Sequence, residues 1–148
     1  MTKRRGVIAL VVIVVIGLCG LVVAVGGVKL FSGLLNNTRD LGDSANAFMV
    51  ALRDEKLDDA YAMLTGDLQQ LKSNANFRED FTGNSIKDWK FGHFSTNNDV
   101  GYVEGTATDN DGNHYVAFQM LNRNSKWTIS GYKVGMLGWV GIVTEPVN

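Results

Sequence analysis

Between Val7 and Val28 the chain runs for 22 residues without a charge, "VIALVVIVVIGLCGLVVAVGGV". As a helix rising ~1.5 Å per residue this run spans roughly 33 Å, the thickness of a bilayer core. The run therefore predicts a transmembrane helix over 6–28, with the lipid bilayer as its partner. Lys3, Arg4 and Arg5 precede it and only Lys29 follows closely. That asymmetry places residues 1–5, a basic stub, in the cytoplasm and the C-terminal part of the chain outside it. The expected location is the cell (plasma) membrane, crossed once. The alternative is a cleaved signal peptide, with Ala24 and Gly26 at a suitable spacing, but such apolar regions ordinarily extend only ~7–15 residues. Lipid attachment at Cys19 is a weaker alternative, because Leu18 stands where that processing needs a small residue.

Cys19 is the only cysteine, so a domain beyond the span can form no disulfide and holds no thiolate for catalysis or metal binding. From Leu30 onward ten Lys and Arg face fifteen Asp and Glu, whereas the first 29 residues carry four basic residues and no acid. An acidic domain of this kind is a poor match for nucleic acid or for an anionic lipid surface.

After the span, residues 29–39 read as a juxtamembrane stalk, and a domain over 40–134 follows. Leu41, Ala45, Phe48 and Leu52 recur at four, three and four, the spacing of one helix face, with Asp40 or Asp43 available as its N-cap. Leu57, Ala60, Tyr61 and Leu64 form a second helical set, with Gly66 as a C-terminal cap. Asp67 and Gln70 have the spacing of a capping box for a third helix, and "FREDF" adds a further turn before Gly83. From Ile86 the chain turns to β-branched and aromatic residues. It predicts four strands near 86–95, 100–109, 113–122 and 126–134, joined by hairpins at "NND", "DNDG" and "NRNS". Helices first and strands second make an α+β fold, helices packed on a curved antiparallel sheet of about four strands.

Two stretches carry a resemblance. "AFMVALRDEKLDDAYAML" resembles the opening helices of nuclear transport factor 2-like (cystatin-like) domains, and "GNHYVAFQMLNRNSKWTISGYKV" resembles their last two strands, with Trp127, Ile129 and Gly131 closing the sheet. The resemblance covers roughly Leu41 to Val134 and rests on packing residues. It implies a cone of strands around helices with a pocket between them. Some members are isomerases, cyclases or dehydratases; others are membrane-anchored modules that bind or assemble envelope machinery, and the order of one membrane helix and one such domain is similar to that second group.

A pocket acid–base site in such a fold needs a carboxylate or His with a Tyr or second acid to steady an oxyanion. The weak ligand-binding candidates are Tyr61, His93, Tyr102, Glu104, His114 and Tyr115. They form no motif, and the plainer reading makes Tyr61 a core residue and the histidines rim residues. "DNDGN", Asp109 to Asn113, starts like a calcium loop, yet His114 stands where the sharp-turn Gly belongs and Met120 where the bidentate Glu belongs. A hairpin turn explains it better, so neither metal nor cofactor is expected. The acids of "ALRDEKLDDAYAML", Asp54, Glu55, Asp58 and Asp59, fall on the wet side of two helices, two of them in a first turn that favours negative charge. Gly17, Gly20, Ala24 and Gly27 align on one face of the span, where a second helix could approach. The tail over 135–148, "GMLGWVGIVTEPVN", holds Met136, Leu137, Trp139 and Val140, too apolar for water. It is expected to pack on the domain as an edge strand or cover, with docking on a partner or membrane as the alternative. The function these features favour is a non-enzymatic extracytoplasmic binding or assembly module whose partner is another envelope protein or a second copy. A small-molecule or isomerase-type pocket protein is the rival.

Overall fold

The computed structural model describes residues 38–141. The span over 6–28, its small-residue face of Gly17, Gly20, Ala24 and Gly27, and the last seven residues lie outside the described residues. Among the described residues no helix is long and apolar enough to cross a membrane.

Helix α1 occupies residues 38–53, and its stripe of Leu41, Ala45, Phe48, Met49 and Leu52 is fully buried. Asp40 and Asp43 lie inside this helix and cap nothing, since the helix is already formed at Thr38. A left-handed residue, Glu55 (φ 56°), breaks the helix, and α2 follows over Leu57–Ala62 with Leu57 and Ala60 buried. Gly66 does not cap α2. It is the first residue of α3, Gly66–Leu71, whose N-cap is Thr65: the Thr65 hydroxyl accepts from the Leu68 N–H at 3.3 Å, and Asp67 sits in the first turn. Ser73 does the same for α4, Asn74–Phe81, accepting from Asn76 N–H. Hydroxyl caps win at both places because the preceding residue is extended, which aims a short side chain at the free amides of the first turn.

The sheet is an antiparallel meander of five strands: β1 Asp88–Asn97, β2 Val100–Thr108, β3 Asn113–Arg123, β4 Lys126–Val134 and β5 Val140–Gly141. The expected four become five because the tail turns at Gly135 (φ 62°) and lays Val140 opposite Tyr132 and Gly141 opposite Gly131. The tail divides its apolar side chains between the two faces. Leu137 and Val140 pack on the core, and Trp139 lies over Gly131, where an added Cβ would come 2.5 Å from Cζ2 of the indole. Two strands bulge, β1 between Phe91 and His93 and β4 opposite Gln119 and Met120. Extra residues at such points bend a strand and exchange its faces. The other edge of β4 is closed partly by β5 and partly by Leu64, with Thr65 N–H donating to the Ile129 carbonyl at 2.8 Å and Ile129 N–H to that of Met63 at 2.9 Å.

Between helices and sheet the space is filled with rings. Phe48 meets Phe118 edge-on at 5.6 Å, Phe77 packs on Phe81 at 4.9 Å, and Tyr132 touches Phe48, Phe77 and Phe81 at about 6 Å. Phe91 closes the row against Phe118 at 5.9 Å. Burying each such ring contributes ~1.5–3 kcal/mol, which makes this cluster a large part of the domain's stabilising core.

Candidate functional site

Directly paired residues in neighbouring strands share a face, so the registers sort the candidates. One row runs Phe94, Val103, Phe118, Tyr132, and a second runs Phe91, Gly105, Val116, Val134; these face the helices. The alternate rows face away from them: His93, Glu104, Ala117, Lys133, then Ser95, Tyr102, Gln119, Gly131, then Lys90, Thr106, Tyr115. Four of the six sequence candidates, His93, Tyr102, Glu104 and Tyr115, therefore gather on one face of the sheet. It is the face opposite the helices, outside the pocket for which they were singled out.

That face is built from packed aromatic and polar groups. The Gln119 side-chain amide, only 5 % exposed, donates to the Tyr102 hydroxyl at 3.1 Å. The Lys133 ammonium lies 5.6 Å from the Tyr115 ring centre, within cation–π range. Trp139 covers Gly131 at the far end of the Tyr102 row. His93 is exposed, and Glu104 is half-buried beside it. Lys133 and Gln119 were missed in the sequence; period-two spacing from Tyr115 reaches Gln119, and the register then sets both on one face with Tyr102. Trp139 belongs to the apolar tail expected to pack on the domain, as it does through β5, but its seat over Gly131 has no local signal.

The remaining two candidates stand apart. The Tyr61 hydroxyl lies 3.0 Å from the Gln69 carbonyl and 3.1 Å from that of Lys72, while Gln69 Nε2 donates back to the Tyr61 carbonyl at 3.0 Å. Tyr61 therefore ties α2 to α3 and faces Phe77, not an open site. His114 lies at the end of the sheet with Nε2 3.0 Å from an Asp109 carboxylate oxygen. The same oxygen accepts from the Asp111 and Gly112 amides at 2.8 and 3.1 Å, which makes "DNDG" a carboxylate-tied hairpin turn with Gly112 at φ 127°. Partial burial opposes ionisation of Asp109, but the two amides and His114 outweigh it and hold its pKa below the ordinary carboxylate value. Among the described residues no three His, Cys, Asp or Glu side chains come together as a metal set.

The acids after α1 are all exposed. Arg78, with help from Asn74, hydrogen-bonds Asp58 and lowers its pKa; Arg53 does the same for Asp54. Each acid with a partner has an ordinary structural one. No protein-family model matches the chain, and no curated protein matches it in sequence.

Two concave features lie among the described residues. A cleft of about 300 Å³ lies at the C-terminal end of α4, with Asp80, Asn84, Asp109 and Met136 around a floor of Phe81 and Val134. Its carboxylates are engaged, Asp80 by Lys72 at 2.6 Å and Asp109 by His114 and the turn amides. A smaller cleft opens between α1 and β4 beside Trp127. Neither holds a nucleophile paired with a base.

Proposed function

We propose that this protein is a single-pass, membrane-anchored module of the nuclear transport factor 2-like type, held outside the cytoplasm, that binds or assembles another envelope protein without catalysing a reaction. The observation that carries this reading is the filled interior. A pocket enzyme of such a fold needs an open cone with an acid or His near a Tyr; here Phe48, Phe77, Phe81, Phe91, Phe118 and Tyr132 occupy that volume against one another. The side chains suited to recognition, Tyr102, Tyr115, His93, Glu104 and Lys133, gather on the helix-free face of the sheet. Tyrosines with mixed charges around them are typical of interface surfaces. The 22-residue apolar run supports the anchor, and the basic stub before it supports the orientation.

Photo-crosslinkers placed singly at Lys90, Tyr102 and Tyr115 in native membranes test this, with Glu79 on α4 as the control position. A discrete adduct with one envelope protein from the sheet positions, absent from Glu79, is expected. No adduct from all three sheet positions overturns the reading. An adduct only with a second copy favours a self-assembling scaffold instead, and replacing Gly20 and Ala24 with bulky residues would then dissociate it.

A further inference from the structure

The two layers of the described domain carry charge differently. Residues 38–83, the helices and their connections, hold five Lys and Arg against nine Asp and Glu. Four of those five cations are already matched by acids of the same layer: Arg39 by Asp43, Arg53 by Asp54, Lys72 by Asp80 and Arg78 by Asp58. The surplus on that side is negative, and it repels an acidic partner.

The helix-free face of the sheet has the opposite balance. Its central rows, those of Lys90, His93 and Ser95, contain two ammonium groups, Lys90 and Lys133, and one carboxylate, Glu104, which stands directly opposite His93. Asp88 and Arg123 lie one at each end of the face. Lys90 is exposed and, among the described residues, has no ion-pair partner. Two rings beside these charges are held before any partner arrives: buried Gln119 donates to the Tyr102 hydroxyl at 3.1 Å, and the Lys133 ammonium lies 5.6 Å from the Tyr115 ring centre. Rings fixed in this way lose little side-chain freedom when something docks on them.

We infer that the segment docking on this face is acidic: Asp or Glu side chains set among apolar ones, the carboxylates meeting Lys90 and Lys133 and the apolar parts lying on Tyr102 and Tyr115. The inference rests on the assembly reading above and names the chemistry of its partner. Repulsion by the helix layer and attraction by the sheet face let such a segment approach from one side only. Its charge contacts are exposed, so they act on encounter and weaken as salt is added.

The test keeps the full chain in native membranes, with the photo-crosslinker at whichever of Tyr102 and Tyr115 gives the adduct, and reads adduct yield after a short irradiation. Lys90→Glu is expected to lower the yield about threefold or more, and Glu104→Gln to raise it. Arg39→Glu makes the same change of net charge on the helix layer and is expected to leave the yield unchanged. An adduct indifferent to both Lys90→Glu and Glu104→Gln overturns this inference and leaves the assembly reading standing. Equal losses in Lys90→Glu and Arg39→Glu overturn it too, since they trace the effect to net charge and not to this face. An adduct with lipid or with a second copy assigns the face to another occupant and overturns it as well. No adduct from any sheet position in the parent chain overturns both readings.

Discussion

Tyr132 carries its hydroxyl into the most apolar part of the domain. The residue is fully buried among Phe48, Phe77 and Phe81, and the hydroxyl has no hydrogen-bond partner. Burial pushes the phenol's pKa far above its ordinary value, and the negative charge of Asp80 pushes it the same way, so the group is neutral throughout the physiological range. A lone buried hydroxyl subtracts from stability what its desolvation costs. Tyr132→Phe is expected to leave the fold unchanged and raise unfolding stability by about 1 kcal/mol in urea titrations; a loss of that size would reveal a hidden partner. Gly105 gives a sharper test of packing. A Cβ there would fall on the Lys90 carbonyl and 2.8 Å from Phe91 Cα, beside the β1 bulge. Backbone cannot step aside as a side chain can, so Gly105→Ala should cost ~1–3 kcal/mol. Gly131→Ala meets the movable Trp139 indole instead, and its loss should be smaller and accompanied by a red shift of tryptophan emission as that ring lifts.

Among the elements, the β2–β3 turn is held by a titratable group, Asp109. The folded state depresses the pKa of Asp109, so this group's contribution is complete above the ordinary carboxylate value of 3.8 and is lost as pH falls through the folded value. Unfolding midpoints measured between roughly pH 5 and pH 2 should fall less steeply in Asp109→Asn than in the parent chain, and equal slopes would remove Asp109 from the account. The starts of α3 and α4 are governed by hydroxyls, and Thr65→Ala or Ser73→Ala should each cost about 1 kcal/mol in the same titrations. The cap of α3 is not the Asp67 that the sequence suggests, because "TGDLQQ" offers Thr65 and Asp67 within three residues and the choice depends on which of them is extended. The apolar stripe of α1 and the bounds of the middle strands were legible, since each repeats over many residues. The faces of the sheet were not. Val116 to Met120 are all buried, so the two-residue alternation that would separate Phe118 from Gln119 is erased along the centre of β3. Bulges after Phe91 and at Ser130 then exchange the parity of β1 and β4 partway along. Tyr102 and Glu104 could therefore be named as candidates but not assigned to a side.

At the scale of the whole molecule, what matters is how completely the described domain closes on itself. Its core cluster is drawn from residues between Leu41 and Val140, with Leu137 and Val140 of the tail completing the side left open by β4. One edge of the sheet is closed by β5 and the Leu64 bridge; the other edge, β1, carries Lys90 and a bulge, devices that discourage strand-to-strand association. The domain's excess of acids adds a mutual repulsion between copies. A fragment of residues 38–148 is therefore expected to fold without the apolar run, to remain monomeric, and to unfold in one step. Its calorimetric enthalpy should be on the order of 60–80 kcal/mol, as for other domains of about 100 residues, and should equal the van't Hoff value. A van't Hoff enthalpy far below the calorimetric one would mean that helices and sheet melt separately. The ring cluster argues against that, because Phe48 of α1, Phe77 and Phe81 of α4, and Phe118 and Tyr132 of the sheet each contact rings from another layer. Neither layer can leave without exposing the aromatic surface of the other, and that shared surface is what makes the transition cooperative.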